Sequence, residues 1–250
     1  VAQLIKTSNP ALNQKIFQGQ FSGVQEVMTL NGTVNKTGVL LLCAVATSVW
    51  TWRLFMQSHS LASILPLLWL GTIGGLIVAV VTIFKKEWSP VTAPLYALLE
   101  GLALGGISAT FEVRFPGIAM QSVALTFGTL FVLLLAYRLG WIPVTQKFRL
   151  GVVAATGAIM LFYLAEIVMG FFGVHFASVN GSGLIGIGFS VVVVIVAALN
   201  LVLDFDFIES GVRAGAPRYM EWYGAFGLIV TLIWLYLEIL RLLSKLNSRN

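Results

Sequence analysis

Five acidic side chains fall within or at the edge of long apolar runs: Glu100, Glu166, Asp204, Asp206 and Glu238. A charged group at the centre of a bilayer costs about 2.5–3.5 kcal/mol on insertion scales, so such acids face protein or water rather than lipid. Two carboxylates within a few ångströms of each other in a low dielectric share a proton. The shared proton is a hydrogen bond that holds two helices together. Its loss leaves two like charges that repel, or a pair able to take a cation. That chemistry suits a pH-controlled gate on a cation path. The competing reading is packing, with each acid protonated, or satisfied by a hydroxyl, and fixing one helix against another. Asn200 precedes Asp204 by one turn on the same face and extends the polar set. Asp204 and Asp206 lie about 200° apart on a helical wheel, so at most one of them faces Glu238 squarely. Glu87, Glu112, Glu209 and Glu221 read as solvated loop charges.

The elements that must position these acids are membrane-spanning helices. The chain is 58% hydrophobic and 10% charged, with a mean hydropathy of +0.92, whereas an ordinary soluble domain is about 25% charged. The last apolar run, Gly227 to Leu246, is long enough to cross a hydrocarbon core of about 30 Å at 1.5 Å per residue. Six further runs precede it, and the seven occupy roughly 38–56, 62–84, 92–111, 118–139, 150–172, 183–207 and 227–246. The expected fold is all-α, with a polar cytoplasmic arm over 1–37 and a transmembrane domain over 38–250. Phe17, Phe21, Val24, Val27 and Met28 give the arm a modest apolar face near 17–30. Residues 1–16 lack the apolar core of a signal peptide.

Lys and Arg set the orientation. With the N-terminus inside, the inner segments hold ten of the fifteen basic residues and the outer segments five, which favours N-in and C-out. In that topology Glu100 and Asp204 fall in the inner half, Asp206 nearer the water, Glu238 near mid-membrane and Glu166 in the outer half.

Several function classes are set aside. The basic residues are scattered over loops and form no nucleic-acid patch. Cys43 is a lone buried thiol, and no Cys/His cluster offers a metal site. Gly181-x-Gly183-x-x-Gly186 matches the dinucleotide fingerprint, with Asp206 about twenty residues on, but it opens a Val-rich membrane helix without the strand that the fingerprint needs. His59 and His175 sit in predicted outer loops, far from the acids, so an enzyme is not expected, nor is a resident cofactor. Gly71-x-x-x-Gly75 and Gly101-x-x-x-Gly105 mark close helix approach.

Three segments then resemble a known family. Leu235-Tyr236-Leu237-Glu238 with Leu242-Leu243 resembles the LYLD…LLR-type close of the Bax inhibitor-1 (YccA/TMBIM) family. Leu203-Asp204-Phe205-Asp206-Phe207-Ile208 resembles its FD-x-x-x-I stretch on the sixth helix. Pro94 to Leu102 resembles its third-helix Y-x-x-x-EG segment. The likeness covers residues 38–246 and is nearest to bacterial members. It implies six helices around a central C-terminal seventh, and a calcium leak gated by a proton on an acid pair of the sixth and seventh helices. By position, that pair is Glu238 with Asp206 or Asp204. Glu238 and Asp206 would then hold Ca2+ weakly and transiently. The sequence departs from the family in carrying Glu rather than Asp on the last helix, and in offering two acids on the sixth.

Two functions follow as expectations. The first is a pH-sensitive, calcium-permeable leak in the bacterial inner membrane, with Ca2+ and H+ as its ions. Asp204, Asp206 and Glu238 would gate it, and Glu100, Asn200 and Glu166 would line or support the path. The second is a regulatory protein, a monomer or small homo-oligomer, that docks on another membrane protein such as a membrane protease. An ion-coupled transporter fits less well, because no internal repeat with matched broken helices is visible.

Overall fold

The computed structural model describes residues 26–173, 179 and 181–249. It holds seven helices long and apolar enough to cross a membrane: α1 (Leu30–Ser58), α2 (Leu61–Phe84), α3 (Ser89–Arg114), α4 (Ile118–Arg138), α5 (Gln146–Phe171), α6 (Leu184–Arg213) and α7 (Tyr219–Asn247). The all-α, seven-span architecture is as expected, and the chain lives in a lipid bilayer. Large side chains such as Phe84, Leu150 and Phe171 point outward, each at least three-quarters exposed. In water that surface would drive aggregation, whereas in lipid it is the solvent-facing side.

Local chemistry sets the helix ends. The Thr29 hydroxyl accepts the Gly32 N–H at 3.0 Å and starts α1, and Thr145 does the same for α5 through Phe148 N–H at 3.2 Å. These caps satisfy backbone donors that have no partner within the helix. Glu112 takes the Gly117 and Ala119 N–H groups at 2.6 and 3.1 Å. It is therefore a cap for the start of α4 and not the solvated charge the sequence suggested.

Helix α7 packs on α1, α3, α4 and α6, while α2 leans on α3 and α5 on α6. Two apolar layers hold α7 in place. Ala225, Phe226 and Ile229 meet Leu40, Tyr96 and Ala97; Leu232, Leu235 and Ile239 meet Ala197, Leu201 and Phe205. The glycine pairs act as expected. The Cα of Gly71 sits so close to α3 that an added Cβ would lie 2.6 Å from the Leu99 carbonyl oxygen, and Gly101 and Gly105 abut the backbone of α1 at Ala44 and Ser48.

The ends of two spans differ from the hydropathy reading. Both α1 and α7 begin eight residues before their apolar runs. The polar stretch 30–37 is helical, with Thr33 and Thr37 buried, so the first helix starts at Leu30, within the stretch expected to belong to the polar arm. The stretch 219–226, which reads as part of a long connection, is the first two turns of α7. Tertiary contacts override hydropathy there, because Glu221 and Gly224 are buried against neighbouring helices. The true α6–α7 turn is short and includes Gly215 at φ 63. Residues 26–28 lie along it. Met28 N–H donates to the Ala216 carbonyl at 2.7 Å, Arg218 N–H donates to the Glu26 carbonyl at 2.9 Å, and Val27 bridges Pro217. Of the expected apolar face of the arm, Phe17, Phe21 and Val24 lie outside the described residues, as does His175, while Met28 is buried and Val27 is exposed.

Candidate functional site

Two of the acids, Asp204 and Glu238, mark different levels of α7. On α6, Asp204 turns toward α7. Its Oδ1 lies near Gly227, and the Thr231 hydroxyl is within its reach. Its Oδ2 is, among the described residues, the buried side-chain polar atom that has no hydrogen-bond partner. The residue borders a cavity of about 370 Å³ between α2, α6 and α7, walled by Ala79, Ile83, Phe207, Tyr223 and Phe226. A buried unpaired oxygen is costly unless something fills its valence, and a proton or a cation can do so. Lys86 stands over the Tyr223 ring at 5.4 Å, on the side where the chain leaves α2.

Glu238 belongs to another cluster. Its carboxylate is buried and accepts the Tyr163 hydroxyl at 2.9 Å. Arg241 approaches it at 3.3 Å and donates to the same tyrosine oxygen at 2.7 Å, with its guanidinium 5.1 Å from the ring centre. Glu166 lies close enough to interact with both Tyr163 and Lys245. The expectation that Glu238 pairs with a sixth-helix acid is corrected by this geometry. Asp204 meets α7 at Gly227 and Thr231, and Glu238 follows seven to eleven residues later, about 10–16 Å along the axis. The cause is the short turn that sets the end of α6 against the start of α7, which leaves Glu238 in the half of α7 nearer its C-terminus.

Asp206 points away from Asp204, as the helical wheel requires, and forms an ion pair with Arg149 of α5 at 2.5 Å. Asn200 ties α6 to α5 through Thr156 at 2.7 Å. Glu100 lies beside the open face of Gly75, where an added Cβ would sit 2.7 Å from its Oε1. The structure thus sets Glu166 near Tyr163 and Lys245, keeps Asp204 and Asp206 apart, and places Glu100 on the α2–α3 seam.

Besides Glu112, three charges escaped sequence reasoning. Glu221 and Glu209 looked like solvated loop charges. Glu221 is buried and is held by Lys36 and by the backbone and hydroxyl of Thr29; Glu209 binds the Tyr137 hydroxyl and faces Arg213 at 3.7 Å. Lys245 looked like a tail charge. It is 7% exposed and donates to the Val179 and Gly186 carbonyls and the Ser190 hydroxyl at 2.8, 3.1 and 2.9 Å. The i, i+3 spacing of Glu238 and Arg241 was the available signal for one cluster; no local signal marks Lys245. Lys245→Met leaves those acceptors without a donor, and it is expected to cost about 1–3 kcal/mol of stability. Thermal unfolding in detergent measures this, and an unchanged midpoint would show that the ammonium does not hold the α5–α6 connection.

A family model described as "Bax inhibitor 1 like" matches residues 9–248. No curated protein matches the chain.

Proposed function

The chain belongs to the Bax inhibitor 1-like family, and from that premise we propose that it is a pH-sensitive, calcium-permeable leak of the bacterial inner membrane, with the N-terminal end of the bundle in the cytoplasm. The observation that carries this reading is the unpartnered oxygen of Asp204 beside its cavity. A carboxylate in that setting attracts a cation when bare and neither attracts nor repels one when protonated. The proton and Ca2+ then compete for one oxygen, and the pH response follows from the competition. The gate in this reading is two separate acids rather than one shared proton. Asp204 governs the passage near α2, and Glu238 governs the lock of Tyr163 and Arg241 on α7. The reading needs no catalytic residue and no resident cofactor; Ca2+ and H+ are its permeant or regulatory ions.

Calcium flux into liposomes across a pH series tests it. Asp204→Asn is expected to lower flux at least about tenfold, the equivalent of about 1.4 kcal/mol in a barrier, and to flatten the pH profile. Glu238→Gln is expected to shift the profile while flux persists. Absence of flux overturns the leak, and a flux that ignores pH and both variants overturns gating by these acids.

A second reading has its own support. Residues 26–28 are strapped to the α6–α7 turn, so a partner gripping the N-terminal arm would pull on both helices. On this reading the protein regulates another membrane protein and transports nothing. Removal of residues 1–25 would then abolish its effect, and acid-to-amide changes would not.

A further inference from the structure

Helices α1 and α4 both pack on α7, yet they make no extensive contact with each other. Between them lies a cavity of about 880 Å³, lined along α1 from Leu30 to Leu41 and along α4 from Leu130 to Arg138, with Phe205 and Leu228 in its floor. Beyond Leu41, which borders both, lies a smaller cavity of about 150 Å³ lined by Ile229, Leu232 and Tyr236. From Leu30 to Leu41 is about 17 Å at 1.5 Å per residue, close to half of a hydrocarbon core of about 30 Å. The wide part of the groove is therefore about as long as one leaflet is deep. Its walls are apolar for most of that length.

The mouth of the groove is charged. Asp206 is taken by Arg149. Glu209 is taken by Tyr137 and faces Arg213. Arg138, the last residue of α4, lines the same mouth. It is exposed and forms no ion pair among the described residues. One positive charge is thus left over at the polar end of an apolar slot about as long as a leaflet is deep. We propose that an acidic phospholipid of the leaflet on the N-terminal side seats one acyl chain between α1 and α4, with its phosphate against Arg138. Chain length matches slot length, and the unmatched arginine selects for a negative headgroup.

Native mass spectrometry of the purified protein in mixed micelles tests this, with phosphatidylglycerol and phosphatidylcholine of identical chains. The wild type is expected to retain one phosphatidylglycerol with a preference of about fivefold, the scale of one arginine at an anionic surface. Arg138→Gln is expected to bring retention down to the phosphatidylcholine level. Gly38→Leu fills the slot from its wall; an added Cβ there meets nothing within 4 Å, so the helix tolerates it, and retention of both lipids is expected to fall. Equal retention of the two lipids by the wild type would overturn the proposal. So would unchanged phosphatidylglycerol retention in both variants, or a stable dimer in which position 38 of one copy crosslinks to the other.

Discussion

Lys36→Met is expected to lower the free energy of unfolding in detergent by about 3–5 kcal/mol, the usual cost of leaving one partner of a buried ion pair alone. The Glu221 side chain is 4% exposed and the Lys36 side chain 15%. Without the ammonium, Glu221 keeps the Thr29 backbone and hydroxyl but holds an uncompensated charge. Gly32 sits directly on that carboxylate, so it cannot swing away within its pocket. Lys36→Met combined with Glu221→Met removes both charges and is expected to recover most of the loss, since a buried pair replaced by apolar groups is often close to neutral. Unfolding of the wild type, Lys36→Met, Glu221→Met and the double variant in mixed micelles of increasing denaturing-detergent fraction gives the coupling between the two sites. Additive losses would show that the pair does not join α1 to α7.

Gly101→Leu is expected to be the most damaging change in the bundle. The added Cβ would fall on the Ala44 carbonyl and the Thr47 hydroxyl, and Gly105 stands in the same relation to Ser48. Backbone cannot move aside as a flexible side chain can. The substitution also displaces Thr47, whose hydroxyl donates to the Leu98 carbonyl at 2.9 Å and joins α1 to α3. Overpacking costs about 1–3 kcal/mol, occasionally more, and here it separates helices whose association rests on close approach. Loss of the monodisperse species is the expected result. Gly157→Leu on α5, where an added Cβ meets nothing within 4 Å, is the matched control and is expected to be neutral. Equal behaviour of the two variants would show that the α1–α3 contact does not limit stability.

Most of the topology is written in one dimension. A hydrocarbon core demands a certain length of apolar chain, so run length alone determined seven spans, their order and the all-α class. The glycine pairs at 71/75 and 101/105 were legible for a similar reason, since spacing by one turn fixes a common face. The opposed directions of Asp204 and Asp206 also followed from the helical period. Depth and partner were decided by the tertiary structure. Hydropathy marks where apolar sequence begins, not where a helix begins, and buried contacts extended α1 and α7 by two turns each. The short turn sets the end of α6 against the start of α7, so Asp204 meets Gly227 and Thr231 while Glu238 meets Tyr163 and Arg241. Glu221 and Lys245 are polar by type, and their burial depends on partners from distant segments, Lys36 for one and the start of α6 for the other. No window of sequence contains both members of such a pair, so packing alone could bring them together.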